Sequence, residues 1–117
     1  MLKFSRAVVI IAALTIGQSA IAQTAASPDM AKRTGYTMGM AVNFIKYCKM
    51  EKGPEAMSFE RVSKMLAAKF HDPYLMGMIE AAMETERMRN TYGEAKYCTL
   101  GPGAYGPNGM AYKNLLQ

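Results

Sequence analysis

Apolar residues recur along the chain at the three- and four-residue spacing of helices, and no segment shows the alternation of a strand. The first apolar stripe consists of Thr34, Met38, Ala41, Ile45 and Cys48, widened by Val42. Ser27 and Pro28 are a favoured N-cap and a favoured first helical residue, whereas Gly53-Pro54 is a typical helix stop. The pattern therefore predicts a first helix from about residue 28 to residue 52.

Two further apolar stripes predict two further helices, each with its stripe facing the core. The second stripe consists of Phe59, Val62, Met65, Leu66 and Phe70, and the third of Leu75, Met76, Ile79, Ala82 and Met83. We expect Ser58 to cap the second helix and Asp72-Pro73 to begin the third. Tyr92-Gly93 is a typical C-terminal stop for the third helix.

The composition changes after Gly93. The segment from Leu100 to Gly109 contains four Gly and two Pro, which predicts a loop, and a short additional helix is compatible with residues 108–116. The fold prediction is all-α: a small bundle of three main helices, with an optional short fourth, closed by one disulfide and followed by a Gly/Pro-rich C-terminal loop.

The first 22 residues have the order of a secretory signal. Lys3 and Arg6 precede a largely apolar run from Ala7 to Ile16, and Ala20-Ile21-Ala22 places small residues at the cleavage site. The apolar run is too short to span a bilayer. We therefore expect a cleavable signal over residues 1–22 and a single small helical domain over residues 23–117, located in the periplasm or secreted, with no stable membrane insertion after cleavage.

Removal of the signal also lowers the net charge from +5 to +3, because Lys3 and Arg6 leave with it. The remaining basic residues are dispersed along the chain, so the sequence predicts no nucleic-acid binding.

The two cysteines, Cys48 and Cys98, are an even pair in a chain expected to be exported, which predicts a disulfide. Closing a loop of this size contributes roughly 4 kcal/mol in the chain-entropy description. A free thiol or a metal ligand is the alternative, but the chain has no Cys-x-x-Cys pair and its single His, His71, is distant in sequence.

Methionine is unusually frequent, with 12 residues in the chain. Thioethers suit copper(I), and Met-x-Met occurs at residues 38–40 and 76–78. Residues two apart on a helix point in different directions, and no two methionines are three or four residues apart. We therefore interpret these side chains as core filling and adaptable binding surface, and we predict no metal and no cofactor.

Two features are candidates for contact with a partner. Gly35 and Gly39 form a row of small residues that suits either close packing against the third helix or a partner groove and dimer interface. Tyr97, Tyr105 and Tyr112 lie in or around the Gly/Pro segment, where tyrosine and glycine together are typical of contact loops. The alternative for the tyrosines is a segment that only covers the core.

Catalytic patterns are weak. His71 and Asp72 are explained by a helix boundary, and no glycine-framed Ser is present. Three acidic residues with neighbouring arginines predict a solvated, ion-paired face, which comprises Glu80, Glu84, Glu86, Arg87 and Arg89. We therefore expect a protein that is not an enzyme.

The leading hypothesis is a non-catalytic exported protein that binds another cell-envelope protein, as an inhibitor, immunity protein or accessory factor, and that is a monomer or homodimer. A periplasmic stress chaperone is the alternative, and copper(I) binding by methionine is a third. In size and cysteine spacing the layout resembles small disulfide-closed helical immunity proteins and acid-stress chaperones of the bacterial periplasm, although it shares no motif with them.

Overall fold

The computed structural model describes residues 26–117, so the predicted signal over residues 1–22 lies outside the described residues. Four helices follow one another along the chain: α1 (Pro28–Cys48), α2 (Ala56–Lys69), α3 (His71–Tyr92) and α4 (Glu94–Tyr105). Residues 106–117 form an irregular C-terminal segment, joined to the α1–α2 connection by a single β-bridge between Lys52 and Leu116. The all-α prediction is confirmed, since no strand occurs in residues 26–117.

The start of α1 is the one predicted. The Ser27 hydroxyl accepts a hydrogen bond from the Met30 amide at 3.2 Å, and Pro28 occupies the first turn. Its end is earlier than predicted, because Lys49 adopts a left-handed conformation with φ 59°. The predicted continuation to residue 52 is therefore wrong. Glu51 instead exchanges backbone hydrogen bonds with Gln117.

The boundaries of α2 and α3 differ slightly from the predicted ones. Ser58 and Asp72 are not the caps, because the two helices begin earlier, after Glu55 and Phe70, without a side-chain cap. The predicted stop of α3 is confirmed, since it ends before Gly93, whose φ of 85° favours glycine.

Helices α1 and α3 run parallel and in close backbone contact. A Cβ at Gly77 of α3 would overlap the Lys32 carbonyl of α1, and a Cβ at Gly35 of α1 would overlap the Tyr74 carbonyl of α3. Further along the pair, the Asn43 amide donates to the Thr85 hydroxyl at 2.9 Å. Residue numbers rise together along both helices, so α2 is the antiparallel return between them.

Aromatic packing joins α4 to α1. Phe44 stacks on Tyr97 with ring centroids 4.7 Å apart and also contacts Tyr105 at 5.9 Å. The predicted disulfide between Cys48 and Cys98 is confirmed, with the two Cα atoms 5.4 Å apart, and it ties the end of α1 to α4.

The predicted loop over residues 100–109 is wrong in its first half, because α4 continues to Tyr105 and contains Pro102. Helix here is favoured by packing, since Gly101 lies directly on the Phe44 ring and the Met50 thioether. The optional helix over residues 108–116 is also wrong. That segment is held by backbone hydrogen bonds such as Leu116 N–H to the Tyr105 carbonyl at 2.9 Å, and Asn114 has φ 62°.

The predicted buried stripes are only partly correct. Phe59 and Leu66 of α2 are buried as expected, whereas Val62 and Met65 are about half exposed. On α1 the buried face is rotated relative to the prediction, and it comprises Ala31, Thr34, Gly35, Gly39, Met40, Ala41 and Phe44. On α3 the predicted stripe faces away from the core. None of the helices described in residues 26–117 is long and apolar enough to cross a membrane.

Candidate functional site

The two glycines proposed for a partner groove are buried inside the molecule. Gly35 lies against the backbone of α3 at Tyr74, and a Cβ on Gly39 would come within 2.7 Å of the Ala81 Cβ. Of the two interpretations of this row, internal packing against the third helix is the one observed. A partner or a second copy cannot reach these glycines unless α3 leaves α1.

Two of the three candidate tyrosines are also core residues. Tyr97 is completely buried and Tyr105 nearly so, both against Phe44. Tyr112 is half-buried, with its ring edge-on to Phe59 at 5.0 Å. The hypothesis that these tyrosines form a contact loop is therefore not supported by their positions, and the alternative of a segment covering the core describes them better.

The apolar residues of α3 that the sequence predicted to face the core lie on the surface of the molecule. Five residues of α3 are exposed, and together they define the α3 ridge: Leu75, Met76, Ile79, Ala82 and Met83. The exposed fraction is 54% for Met76, 51% for Ile79 and 66% for Met83. Large apolar side chains contiguous on one helix face are typical of protein interaction surfaces.

The ridge faces outward because small residues occupy the inner face of α3. The inner face consists of Gly77, Ala81, Thr85 and Met88. Ile79 lies about half a turn around the helix from Gly77, so the contact that brings Gly77 against α1 turns Ile79 to solvent. The predicted burial of the large residues of α3 is wrong, whereas the close packing suggested for Gly35 and Gly39 against the third helix is observed. The small residues on both helices could have identified the buried face, because two helix backbones in contact leave no space for large side chains between them.

Ion pairs border the ridge on one side. Arg87 donates two hydrogen bonds of 2.7 Å to the carboxylate of Glu84, and these bonds lower the pKa of Glu84. Lys32 of α1 pairs with Glu80 at 2.9 Å. The predicted ion-paired face is thus observed at Arg87, whereas Arg89 pairs with Glu94 of α4 at 2.8 Å. An apolar stripe with a charged border is the usual composition of an exposed interface.

A polar cleft on the α1–α3 junction is the second candidate. The Arg89 guanidinium stacks on the Tyr47 ring at 3.7 Å, above the hydrogen bond between Asn43 and Thr85. Its cations and carboxylates are balanced, because the Arg89 charge is already paired with Glu94. With Lys46 and Glu86 as its other two charged residues, the cleft has a formal net charge of zero.

The candidate residues for catalytic and metal chemistry are the His71–Asp72 pair, the acidic and sulfur-containing side chains, and the Met-x-Met pairs. His71 and Asp72 are in contact at 3.1 Å, but both are largely exposed at the start of α3. No group of three or more His, Cys, Asp or Glu side chains in residues 26–117 could hold a metal ion. Of the two Met-x-Met pairs, Met40 is buried beside the Thr85 hydroxyl and Met76 is exposed on the ridge.

Comparison with protein-family models, with curated proteins and with solved structures finds no significant match to this chain. The α3 ridge is therefore the candidate functional site on the grounds of its geometry alone.

Proposed function

We propose that this chain is a non-catalytic exported protein that binds another protein of the cell envelope through the α3 ridge, as an inhibitor, immunity protein or accessory factor. The observation that supports the proposal is the outward position of Met76, Ile79 and Met83 on a helix anchored to α1 along its opposite face. A rigid helix that presents apolar side chains on successive turns suits a groove or a second amphipathic helix on the partner.

The side chains of the ridge favour adaptable recognition. Methionine is flexible and polarizable, so one methionine surface fits partners of somewhat different shape. Exposed methionines also occur away from the ridge, at Met57, Met65 and Met110. This distribution keeps a stress chaperone as the second candidate function, since a chaperone uses soft apolar surface on many clients.

Export is supported by the disulfide between Cys48 and Cys98, because such bonds persist in oxidising compartments. The test is the mass of the protein recovered from the periplasmic fraction after expression of the full chain in a bacterium. The expected species begins at Gln23 and contains no free thiol. Recovery of a reduced chain that retains residue 1 in the cytoplasmic fraction would contradict export.

The interaction is tested by capture from an envelope extract followed by measurement with the purified partner. We expect one stoichiometric partner, whose affinity falls at least tenfold on Ile79→Lys, because the substitution places a charge in the centre of the apolar contact. Met110→Lys is the matched control, since Met110 is 94% exposed in the C-terminal segment. Equal binding by the two variants would contradict the ridge as the binding surface. Capture of many unfolded proteins without fixed stoichiometry would favour the chaperone.

A further inference from the structure

The outer face of α3 follows a heptad pattern. Residues on this face recur at spacings of four, three, four, three and four: Asp72, Met76, Ile79, Met83, Glu86 and Asn90. This spacing is the one by which two helices pack side by side with their stripes in register. Met76, Ile79 and Met83 are apolar, whereas the residues before and after them are polar. The apolar part of the stripe is therefore short and is flanked by polar side chains at both ends.

We propose that a second copy of this chain covers the α3 ridge, with the two α3 helices antiparallel and the twofold axis passing between Ile79 and Glu80. The inference rests on the proposed function, because it uses the ridge as a protein-binding surface. The second copy covers the ridge when no other partner is bound. Self-association and partner binding therefore compete for the same side chains.

The ridge is complementary to itself in this arrangement. A twofold interface brings residue i of one copy against residue j of the other and j against i. With the axis at residues 79–80, Met76 of one copy lies level with Met83 of the other, and Asp72 lies level with Arg87. The Asp72 side chain is 92% exposed and that of Arg87, which pairs with Glu84 at 2.7 Å, is 56% exposed, so Asp72 can add a second carboxylate to Arg87 across the interface. Each contact occurs twice because of the twofold axis, and Asp72 with Arg87 is the pair of opposite charges that the arrangement brings level.

The size of the apolar surface predicts a weak dimer. Half-exposed side chains on three successive turns offer on the order of a few hundred Å², below the roughly 800 Å² per partner of a standard stable interface. We therefore expect weak, transient association, so that a tighter partner can displace the second copy.

The first test is sedimentation equilibrium of the mature protein, residues 23–117, from about 10 µM to about 1 mM. We expect a monomer–dimer equilibrium that Ile79→Glu shifts at least tenfold toward monomer, while Met57→Glu leaves it unchanged. Met57 is the control because it is 69% exposed on α2 and does not belong to the ridge. A wild-type protein that remains monomeric at the highest concentration overturns the proposal, as does equal association of the two variants.

Cysteine cross-linking tests the direction of the helices and does not depend on the folding of a charged variant. Two copies carrying Met76→Cys and Met83→Cys, mixed and oxidised, should link to each other much faster than either links to itself, because a disulfide needs Cα atoms about 4.4–6.8 Å apart. Preferential self-linking of Met76→Cys indicates parallel helices and overturns the arrangement. If the wild-type protein does not dimerise but still captures a partner through the ridge, this inference alone is wrong. If it dimerises but captures no partner through the ridge, the proposed function alone is wrong.

Discussion

At the scale of single residues, the contact between α1 and α3 depends on glycines that have no room for a methyl group. We predict that Gly77→Ala lowers the free energy of unfolding by about 2–4 kcal/mol, because the new Cβ would overlap the Lys32 carbonyl and neither backbone can yield without separating the helices. The measurement is urea unfolding with the disulfide intact.

The matched control is Gly103→Ala in α4. A Cβ at Gly103 would meet nothing within 4 Å, so the better helix propensity of Ala should raise the free energy of unfolding by about 0.5–1 kcal/mol. If both substitutions were stabilising, the close approach of α1 and α3 would be wrong.

A second residue-scale prediction concerns Tyr105 at high pH. Burial raises the pKa of its hydroxyl from 10.0 to about 12. Below pH 10 the group is protonated in both states, whereas between pH 10 and 12 the unfolded chain releases the proton and the folded chain retains it. The free energy of unfolding therefore falls as the pH rises through this window, by up to about 3 kcal/mol from this group.

The measurement compares urea unfolding at about pH 9 and about pH 11.5. Tyr105→Phe should lose distinctly less stability over this interval than the wild type. Tyr92→Phe is the control for removal of a tyrosine hydroxyl, since Tyr92 is about half exposed at the end of α3. Identical curves for the wild type and Tyr105→Phe would show that Tyr105 does not carry the effect.

At the scale of elements, α3 is an amphipathic helix that buries its small side chains and exposes its large ones. We predict that Ile79→Lys changes the free energy of unfolding by less than about 0.5 kcal/mol, because the side chain is 51% exposed and lies on the face of α3 opposite its buried residues.

The comparison on the same helix is Ala81→Lys. Ala81 is fully buried against Gly39, so a lysine there should cost more than about 3 kcal/mol or prevent folding. Circular dichroism during urea unfolding of the two variants distinguishes the two faces. A large loss of stability for Ile79→Lys would show that the ridge is part of the core, and the ridge would then no longer be a candidate site.

The same competition between local preference and packing explains α4. Glycine and proline at residues 101–103 disfavour helix locally, which is why the sequence predicted a loop there. In the fold, Gly101 allows the helix backbone to lie against Phe44, while the disulfide at Cys98 holds the preceding turn beside α1. The helix is thus stabilised by contacts that are distant in sequence.

At the scale of the whole molecule, the C-terminal segment closes the bundle. Leu115 and Leu116 are almost completely buried, and Gly53 N–H donates to the Leu115 carbonyl at 2.8 Å. We predict that Leu116→Ala lowers the free energy of unfolding by about 2–5 kcal/mol through lost burial and the resulting cavity.

Lys113→Ala, in the same segment but exposed, is the control and should change stability by less than about 0.5 kcal/mol. Thermal and urea unfolding of both variants provide the measurement. Equal stability of Leu116→Ala and the wild type would mean that the segment is dispensable for the fold and only covers its surface.

The features that the sequence determined by itself are those governed by neighbours along the chain. The Ser27-Pro28 start of α1 and the Gly93 stop of α3 depend on local dihedral preferences and on a side chain three residues away. Helical periodicity identified the first three helices for the same reason. The pairing of Cys48 with Cys98 followed from their being the two cysteines of the chain.

Only the tertiary structure decided which side of each helix is buried and where a site can lie. Periodicity shows which residues share a helix face but not which element packs against that face. Helix α3 has a row of small residues on one face and a row of large ones on another. Backbone contact at Gly35 and Gly77 selected the small row, because close approach of two helices leaves no volume for Met76 or Ile79 between them. That choice exposed the ridge expected in the core, while the packing of α4 on Phe44 buried Tyr97, for which the sequence had left both a contact loop and a core-covering segment open.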